Sequence, residues 1–340
     1  MSDTTSLREA ALAYREGGAG NVPADNHLHW QRWAIWPRTI SGVHDPDVTS
    51  SIVGLPLAAP IVVAPSAAHG LWHERAEAET AVGVRDGGSA LVLSQGSTIP
   101  PEDVGARPYR QQLYLPEDRD LILPFIRRVE QIGAAALVVT VDQLPVPHQQ
   151  AFRQSAAVLP WPAWSAWDVD APGSGSAPAF TADDIAWLAA HTHLPVIAKG
   201  ILHPDDALAV VAAGAAGVVV SNHGGRQLPG SVTPAEVLHE IVQAVDGAVP
   251  VHVDSGIRGA DDVFRALCLG ASTTWIGRPV LRQLEKGGAP AVASWLATLA
   301  EELASIFALV GVRSAAECNR AFLRERPTYQ PRERHERTQP

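Results

Sequence analysis

The sequence predicts an α/β fold, a (β/α)8 TIM barrel with a short N-terminal helical extension, on three observations. Short apolar or β-branched runs recur eight times, amphipathic helical periods separate most of them, and no G-x-G-x-x-G follows the first strand. The last point disfavours the rival doubly wound dinucleotide sheet. In chain order, "PIVVA" (60–64) precedes a helical period at 75–86, and "ALVLS" (90–94) precedes "QQLYL" (111–115) and a period at 118–132. "ALVVTV" (136–141) is followed by 182–191, "PVIAK" (195–199) by 204–213, and "GVVVSN" (217–222) by 234–246. "VPVHVD" (249–254) leads into 260–268, and "TTWIG" (273–277) into 292–309, which closes the series. Residues 1–50 are the N-terminal extension, 51–325 the barrel with a variable lid loop about 150–180, and 326–340 a charged tail.

Composition narrows the partners. At 340 residues and 46% hydrophobic, the chain can bury a sizeable core. Its formal net charge of −10 argues against nucleic acid or an anionic membrane surface and for a small molecule. Cys268 and Cys318 are the only cysteines and lack metal spacing, so two buried thiols in a reducing cytoplasm are expected, without a disulfide framework. The N-terminal stretch has no basic region followed by an apolar one, and "LAVVAAGAAGVVV" is too short and glycine-interrupted to span a bilayer. Lysine occurs only at 199 and 286, so Lys199 at a strand end stands out.

Barrel active sites sit at the C-terminal ends of the strands, and polar residues gather there. Ser66 follows the first strand, Ser94 ends the second, Gln112 and Tyr114 lie in the third, and Thr140 and Asp142 mark the fourth. Lys199 ends the fifth, His223 and Arg226 follow the sixth, Asp254, Ser255 and Arg258 mark the seventh, and Gly277 and Arg278 the eighth. "DSGIRG" (254–259) and "IGRP" (276–279) place glycine amides and two arginines after strands seven and eight, where such barrels hold a phosphate. The histidine pairs His27/His29 and His191/His193 lack a carboxylate that would complete a metal site, so no metal is expected.

Taken together, "APSAAHGLWH", "QLY", "TVD", "AKGI", "SNHGGRQL", "DSGIRGADDVFRALCLGA" and "IGRPVL" resemble, in order and spacing, the FMN-dependent 2-hydroxy-acid oxidase and dehydrogenase family. Glycolate oxidase, lactate oxidase and mandelate dehydrogenase are members, and the similarity runs from about residue 34 to 325. The resemblance implies FMN as cofactor, oxidation of a hydroxyl- or amine-bearing carbon with its hydrogen passing to flavin N5, and a role for each strand end. His223 would take the hydroxyl proton, Asp142 would orient its imidazole, and Lys199 would stabilise charge on the reduced flavin. Arg226 would grip a substrate carboxylate, and Tyr114 would hydrogen-bond the substrate. Gly224 and Gly225 would leave room beside them. Ser66, Ala67, Ser94, Gln112 and Thr140 would contact the isoalloxazine. Asp254, Gly256, Arg258, Gly277 and Arg278 would hold the ribityl chain and phosphate.

Three departures from the family pattern point to an enlarged pocket. The segment after "TVD" carries His148, Gln149 and Gln150 where a second arginine clamp is expected, Ala13 precedes Tyr14 where a tyrosine pair is expected, and Gly96 replaces a bulky aromatic. The 150–180 loop adds Trp161, Trp164 and Trp167, as a lid or an interface. A substrate larger than lactate is expected, an aryl 2-hydroxy acid or an intermediate of secondary metabolism. Ala67 in "APSAAHGL" favours oxygen over another electron acceptor, and a homotetramer or other homo-oligomer is expected. Two alternatives remain open: a non-redox FMN-dependent isomerase, and a Schiff-base or pyridoxal-phosphate barrel enzyme using Lys199.

Overall fold

The computed structural model describes residues 21–105, 109–143, 172, 177 and 179–326. The described chain begins with helix α1 (Val22–Gln31), which carries proline in its first turn, where a missing backbone N–H leaves no bond unmade. Strand β1 (Trp33–Ile35) pairs antiparallel with the last described strand, Leu323–Glu325, which ties the two ends of the described chain together. A hairpin of β2 (Ser50–Ile52) and β3 (Leu55–Leu57) follows.

Eight parallel strands then form a closed barrel in chain order: β4 (Ile61–Val63), β5 (Ala90–Leu93), β6 (Tyr109–Leu113), β7 (Ala134–Thr140), β8 (Val196–Ile201), β9 (Gly217–Val220), β10 (Val251–Val253) and β11 (Thr273–Ile276). Closure is direct, with Thr274 of β11 in register with Ile61 of β4. The outer layer comprises α2 (Ala76–Asp86), α3 (Leu123–Ile132), α4 (Ala182–His191), α5 (Pro204–Ala212), α6 (Pro234–Val245), α7 (Ala260–Cys268) and α8 (Arg278–Val310), before β12 (Leu323–Glu325). Reciprocal capping boxes start α4 at Thr181 with Asp184 and α6 at Thr233 with Glu236, satisfying otherwise unpaired amides at each helix start.

The barrel interior and the helix layer form two separate cores. Val62, Ala64, Ala90, Val92, Ala136, Val138, Ile197, Val219 and Trp275 fill the interior, and Ile52 and Leu57 of the β2–β3 hairpin join them. Arg110, near the start of β6, is fully buried and donates to the Ile52 carbonyl, so the hairpin seals the N-terminal end. The opposite end is left for chemistry.

Two elements depart from expectation. The third barrel strand is Tyr109–Leu113 and not 111–115, because Arg110, Gln111 and Gln112 are fully buried within it; polar residues there hide a strand from apolar patterning. The last helix begins at Arg278 and not 292, and breaks at Gly287 and Gly288 (φ −173° and +61°); Glu79 Oε1 accepts from Ala289 N at 2.8 Å and restarts it. The two cysteines, 50 residues apart in sequence, also meet. Cys268 is buried, whereas Cys318 is only partly so, and their hydrogen bond, then burial, pushes the Cys268 thiol up.

His252, on β10, is a buried interior residue bonded through Nδ1 to Thr273 Oγ1 at 2.8 Å. Burial, then the charge of Arg110, pushes its pKa from 6.5 down to about 3. Between those values the unfolded chain takes up a proton that the folded chain refuses, so stability falls as pH falls, by at most about 1.4 kcal/mol per pH unit. Burial also lowers the pKa of His69, in the same direction. His252→Gln is therefore expected to flatten, without abolishing, the loss of stability on acidification from pH 6.5, read from urea unfolding curves. An unchanged slope would remove His252 as its main source.

Candidate active site

The loop after β9 carries the most constrained backbone in the barrel mouth. His223, Gly224 and Gly225 have φ of +57°, +68° and +79°, three successive residues in the left-handed region. Histidine enters it only at a cost of about 1–2 kcal/mol, so the surrounding contacts must hold it there. The glycines are required by packing as well as conformation. A Cβ on Gly224 would meet Arg278 Nη2 at 2.8 Å, and one on Gly225 would meet Pro23 N at 2.7 Å. They admit protein neighbours, which is a tighter constraint than open room beside a ligand.

The expected base pair is formed. His223 Nδ1 lies 3.0 Å from Asp142 Oδ1, across 81 residues of sequence. Burial alone would raise the Asp142 carboxyl, but the His223 charge and hydrogen bond, then the Lys199 ammonium, outweigh it and hold the pKa below its ordinary value. An ionised carboxylate only accepts, so Nδ1 carries the proton and Nε2 is left as the acceptor. Gly200 makes room for the pair: its φ is +113°, and a Cβ there would meet Asp142 Cγ at 2.6 Å.

Lys199 is 3% exposed and ends in two contacts, Ser221 Oγ at 2.9 Å and Asp254 Oδ2 at 3.0 Å. Ser221 Oγ also accepts from His223 N at 3.1 Å, and Ser255 Oγ donates to Asp254 Oδ1 at 2.6 Å. The lysine and aspartate expected to act separately are therefore one ion pair. Charge inside a buried site is retained only when paired and hydrogen-bonded in this way.

Ser66, Lys199, His223, Arg226, Asp254, Gly256, Gly277 and Arg278 all line one open cleft, together with Trp275; its enclosed space is about 100 Å³. Arg278 Nη2 donates to the Gly224 carbonyl at 2.7 Å, and α8 starts at that arginine with its first amides facing the end of the barrel where β11 stops. Arg258 stands outside the lining residues, with its amide bonded to Asp262 at 3.0 Å; partial desolvation, then Arg282, holds its guanidinium below the ordinary value. Amide donors, a helix start and the Arg278 guanidinium in the cleft fit a phosphate. The buried ammonium of Lys199 in the cleft lining fits the electron-rich edge of an isoalloxazine.

Beside the cleft, Ser94, Gln112 and Thr140 form a row across three strand ends. Gln112 Oε1 accepts from Gln95 N at 3.0 Å and from Ser94 Oγ at 3.3 Å, while its Nε2 donates to Thr140 Oγ1 at 3.1 Å. Ala67 lies partly buried in the loop after β4, packed against the core. Tyr114 follows β6; its amide donates to Gln95 Oε1 at 2.7 Å, and its side chain lines a second, smaller cavity with Thr140, Gln143 and Phe180. Ala13, Tyr14, His148, Gln149, Gln150, Trp161, Trp164 and Trp167 lie outside the described residues.

Several residues of the site were not singled out from the sequence. Asn26 of α1 and Asn222 exchange reciprocal amide bonds of 2.9 and 2.6 Å while almost fully buried, and Trp30 Nε1 donates to the Ser255 carbonyl at 3.0 Å. A Cβ on Gly256 would collide with the Asn26 carbonyl, so α1 sits directly on the loops after β9 and β10. The signal available in the sequence was an asparagine between Ser221 and His223 where an apolar strand ends.

Residues 4–325 match the family model described as FMN-dependent dehydrogenase. An L-lactate oxidase of Lentilactobacillus hilgardii is 36% identical over 92% of this chain and 89% of its own. The glycolate oxidase of Spinacia oleracea is 33% identical over 88% of this chain and 86% of its own. Among solved structures, a mandelate oxidase mutant with (S)-mandelic acid is 34% identical with a TM-score of 0.84, covering 97% of this chain and 98% of that one.

Proposed function

Because the chain belongs to the FMN-dependent dehydrogenase family, and is an FMN-dependent oxidoreductase of the 2-hydroxy-acid oxidase type, we propose that it oxidises the hydroxyl-bearing carbon of an aryl or comparably large 2-hydroxy acid, with His223 as base. The observation that carries this reading is the His223–Asp142 pair at 3.0 Å, whose histidine lines the same cleft as Arg226 and Lys199.

Ser66, Lys199, Asp254, Gly256, Gly277 and Arg278, with Arg258 beyond them, would hold FMN. Bound FMN supplies an acceptor for the hydrogen leaving the substrate carbon with its electron pair. His223 Nε2 takes the hydroxyl proton, and the Asp142 carboxylate stabilises the resulting imidazolium. Arg226 orients the substrate by its carboxylate through charge-assisted hydrogen bonds. Ser94, Gln112 and Thr140 offer a polar edge to the flavin ring, and Tyr114 reaches the substrate from the third strand end. The mandelate oxidase structures favour an aryl acid, and the oxidase names of the relatives favour oxygen as the final acceptor.

The comparisons give no support to the isomerase or Schiff-base alternatives. A lysine nucleophile would need a free amine, whereas Lys199 Nζ is shared between Asp254 and Ser221. Anaerobic addition of (S)-mandelate or a ring-substituted analogue to the yellow holoprotein tests the proposal. Flavin bands should bleach and a 2-oxo acid should appear in equal amount. Bands unchanged by any 2-hydroxy acid would overturn it.

A further inference from the structure

We propose that Ser255 is a positioning residue for His223, holding the base-bearing turn against the Lys199–Asp254 pair; this rests on the reading of His223 as the base. The observation is a closed ring of contacts around one peptide unit. His223 N donates to Ser221 Oγ at 3.1 Å, and Gly224 N donates to Ser255 Oγ at 2.9 Å. Both hydroxyls lean on the same ion pair: Lys199 Nζ donates to Ser221 Oγ at 2.9 Å, and Ser255 Oγ donates to Asp254 Oδ1 at 2.6 Å, while Lys199 Nζ and Asp254 Oδ2 stand 3.0 Å apart.

Two consecutive amides in a left-handed turn are thereby held by two different hydroxyls. Neither amide can use an ordinary helix or strand partner in that conformation, and a buried amide without a partner is costly. Ser255 itself has φ of +70°, a conformation that glycine would adopt without strain. Serine at a glycine-favouring position is explained by its hydroxyl, which does two jobs: its proton goes to Asp254 and its lone pair receives Gly224 N–H. The bond to a charged carboxylate fixes the hydroxyl rotor and so aims the lone pair at the turn. Removing it leaves Gly224 N–H unpaired next to the base while His223 keeps its bond to Asp142.

The test compares Ser255→Gly with Ser255→Ala in the FMN-saturated holoprotein. Glycine relieves the backbone strain and alanine keeps it, but both remove the hydroxyl. Ser255→Gly is expected to unfold later than Ser255→Ala, yet to show about ten-fold slower substrate-driven flavin reduction than the unmodified protein, with substrate affinity within about three-fold. Hydrogen–deuterium exchange of the peptide spanning residues 221–226 should be about five-fold faster in both variants. Reduction within about two-fold of the unmodified rate in Ser255→Gly, or unchanged exchange, would overturn the proposal. Were the unmodified protein itself not reduced by any 2-hydroxy acid, the functional reading would fall. The exchange and unfolding comparison would still decide whether Ser255 holds the turn.

Discussion

His223→Ala is expected to leave FMN bound and to slow substrate-driven flavin reduction by about 10²–10⁴-fold, the usual contribution of a positioned general base. The expectation separates binding from chemistry because the groups proposed to hold the phosphate, Gly256, Gly277 and Arg278, line the cleft, while the imidazole is bonded to Asp142. Alanine removes both the proton acceptor at Nε2 and the partner of the buried Asp142, which then faces only the longer-range charge of Lys199. Stopped-flow mixing with excess substrate under nitrogen reads the rate, and the flavin absorbance of the purified variant reads the occupancy. A variant that retains FMN and is reduced at the normal rate would remove His223 from proton transfer.

The second large effect concerns substrate size. Glycolate and lactate should bind about ten- to hundred-fold more weakly than they would between two arginine clamps, because the sequence carries His148, Gln149 and Gln150 where the second is expected, and one such charge-assisted contact is worth about 1.5–3 kcal/mol. Gly96 stands where the family pattern carries a bulky aromatic, and small acids would gain nothing from the room this is expected to leave. Gln149→Arg should improve lactate and impair the aryl substrate, as read from anaerobic titrations of flavin absorbance. The similarity to an L-lactate oxidase at 36% identity makes this a sharp expectation. Efficient turnover of lactate at micromolar concentrations by the unmodified protein would refute it and would indicate that another group, such as His148 or Arg153, has replaced the clamp.

Most of the barrel was legible in the sequence because a parallel strand buried on both faces must be a short continuous apolar run. β7, β9 and β11 are of this kind, and their ends were placed to within a residue or two. The rule failed at β6, where Arg110 and Gln112 point into the barrel and Gln111 is buried outside it. Burial there depends on neighbours from distant segments, above all the hairpin carbonyl at Ile52. The first half of α8 was missed for a related reason. Gly287, Gly288 and Pro290 are local signals for ending a helix, and the chain does break there; Glu79 Oε1, accepting from Ala289 N, starts the second half.

The candidate site divides along the same line. Its residue types and their order could be read directly, since a base, a carboxylate, an ammonium, a clamp and glycine-rich turns each carry their chemistry in the side chain or the allowed backbone. His223, Asp142, Lys199 and Arg226 stand out as polar strand-end residues in this way, and their roles as base, partner, cation and clamp are what the family resemblance implies. What the tertiary structure decided is who pairs with whom. Lys199, Ser221 and Asp254 sit on β8 or just beyond β9 and β10, adjacent strands whose ends converge only when the barrel closes. Asn26 reaches Asn222 across 196 residues because α1 packs on the strand ends. Chemical identity is a local property of the chain; hydrogen-bond partnership and charge pairing depend on distances of about 3 Å, which a linear order cannot contain.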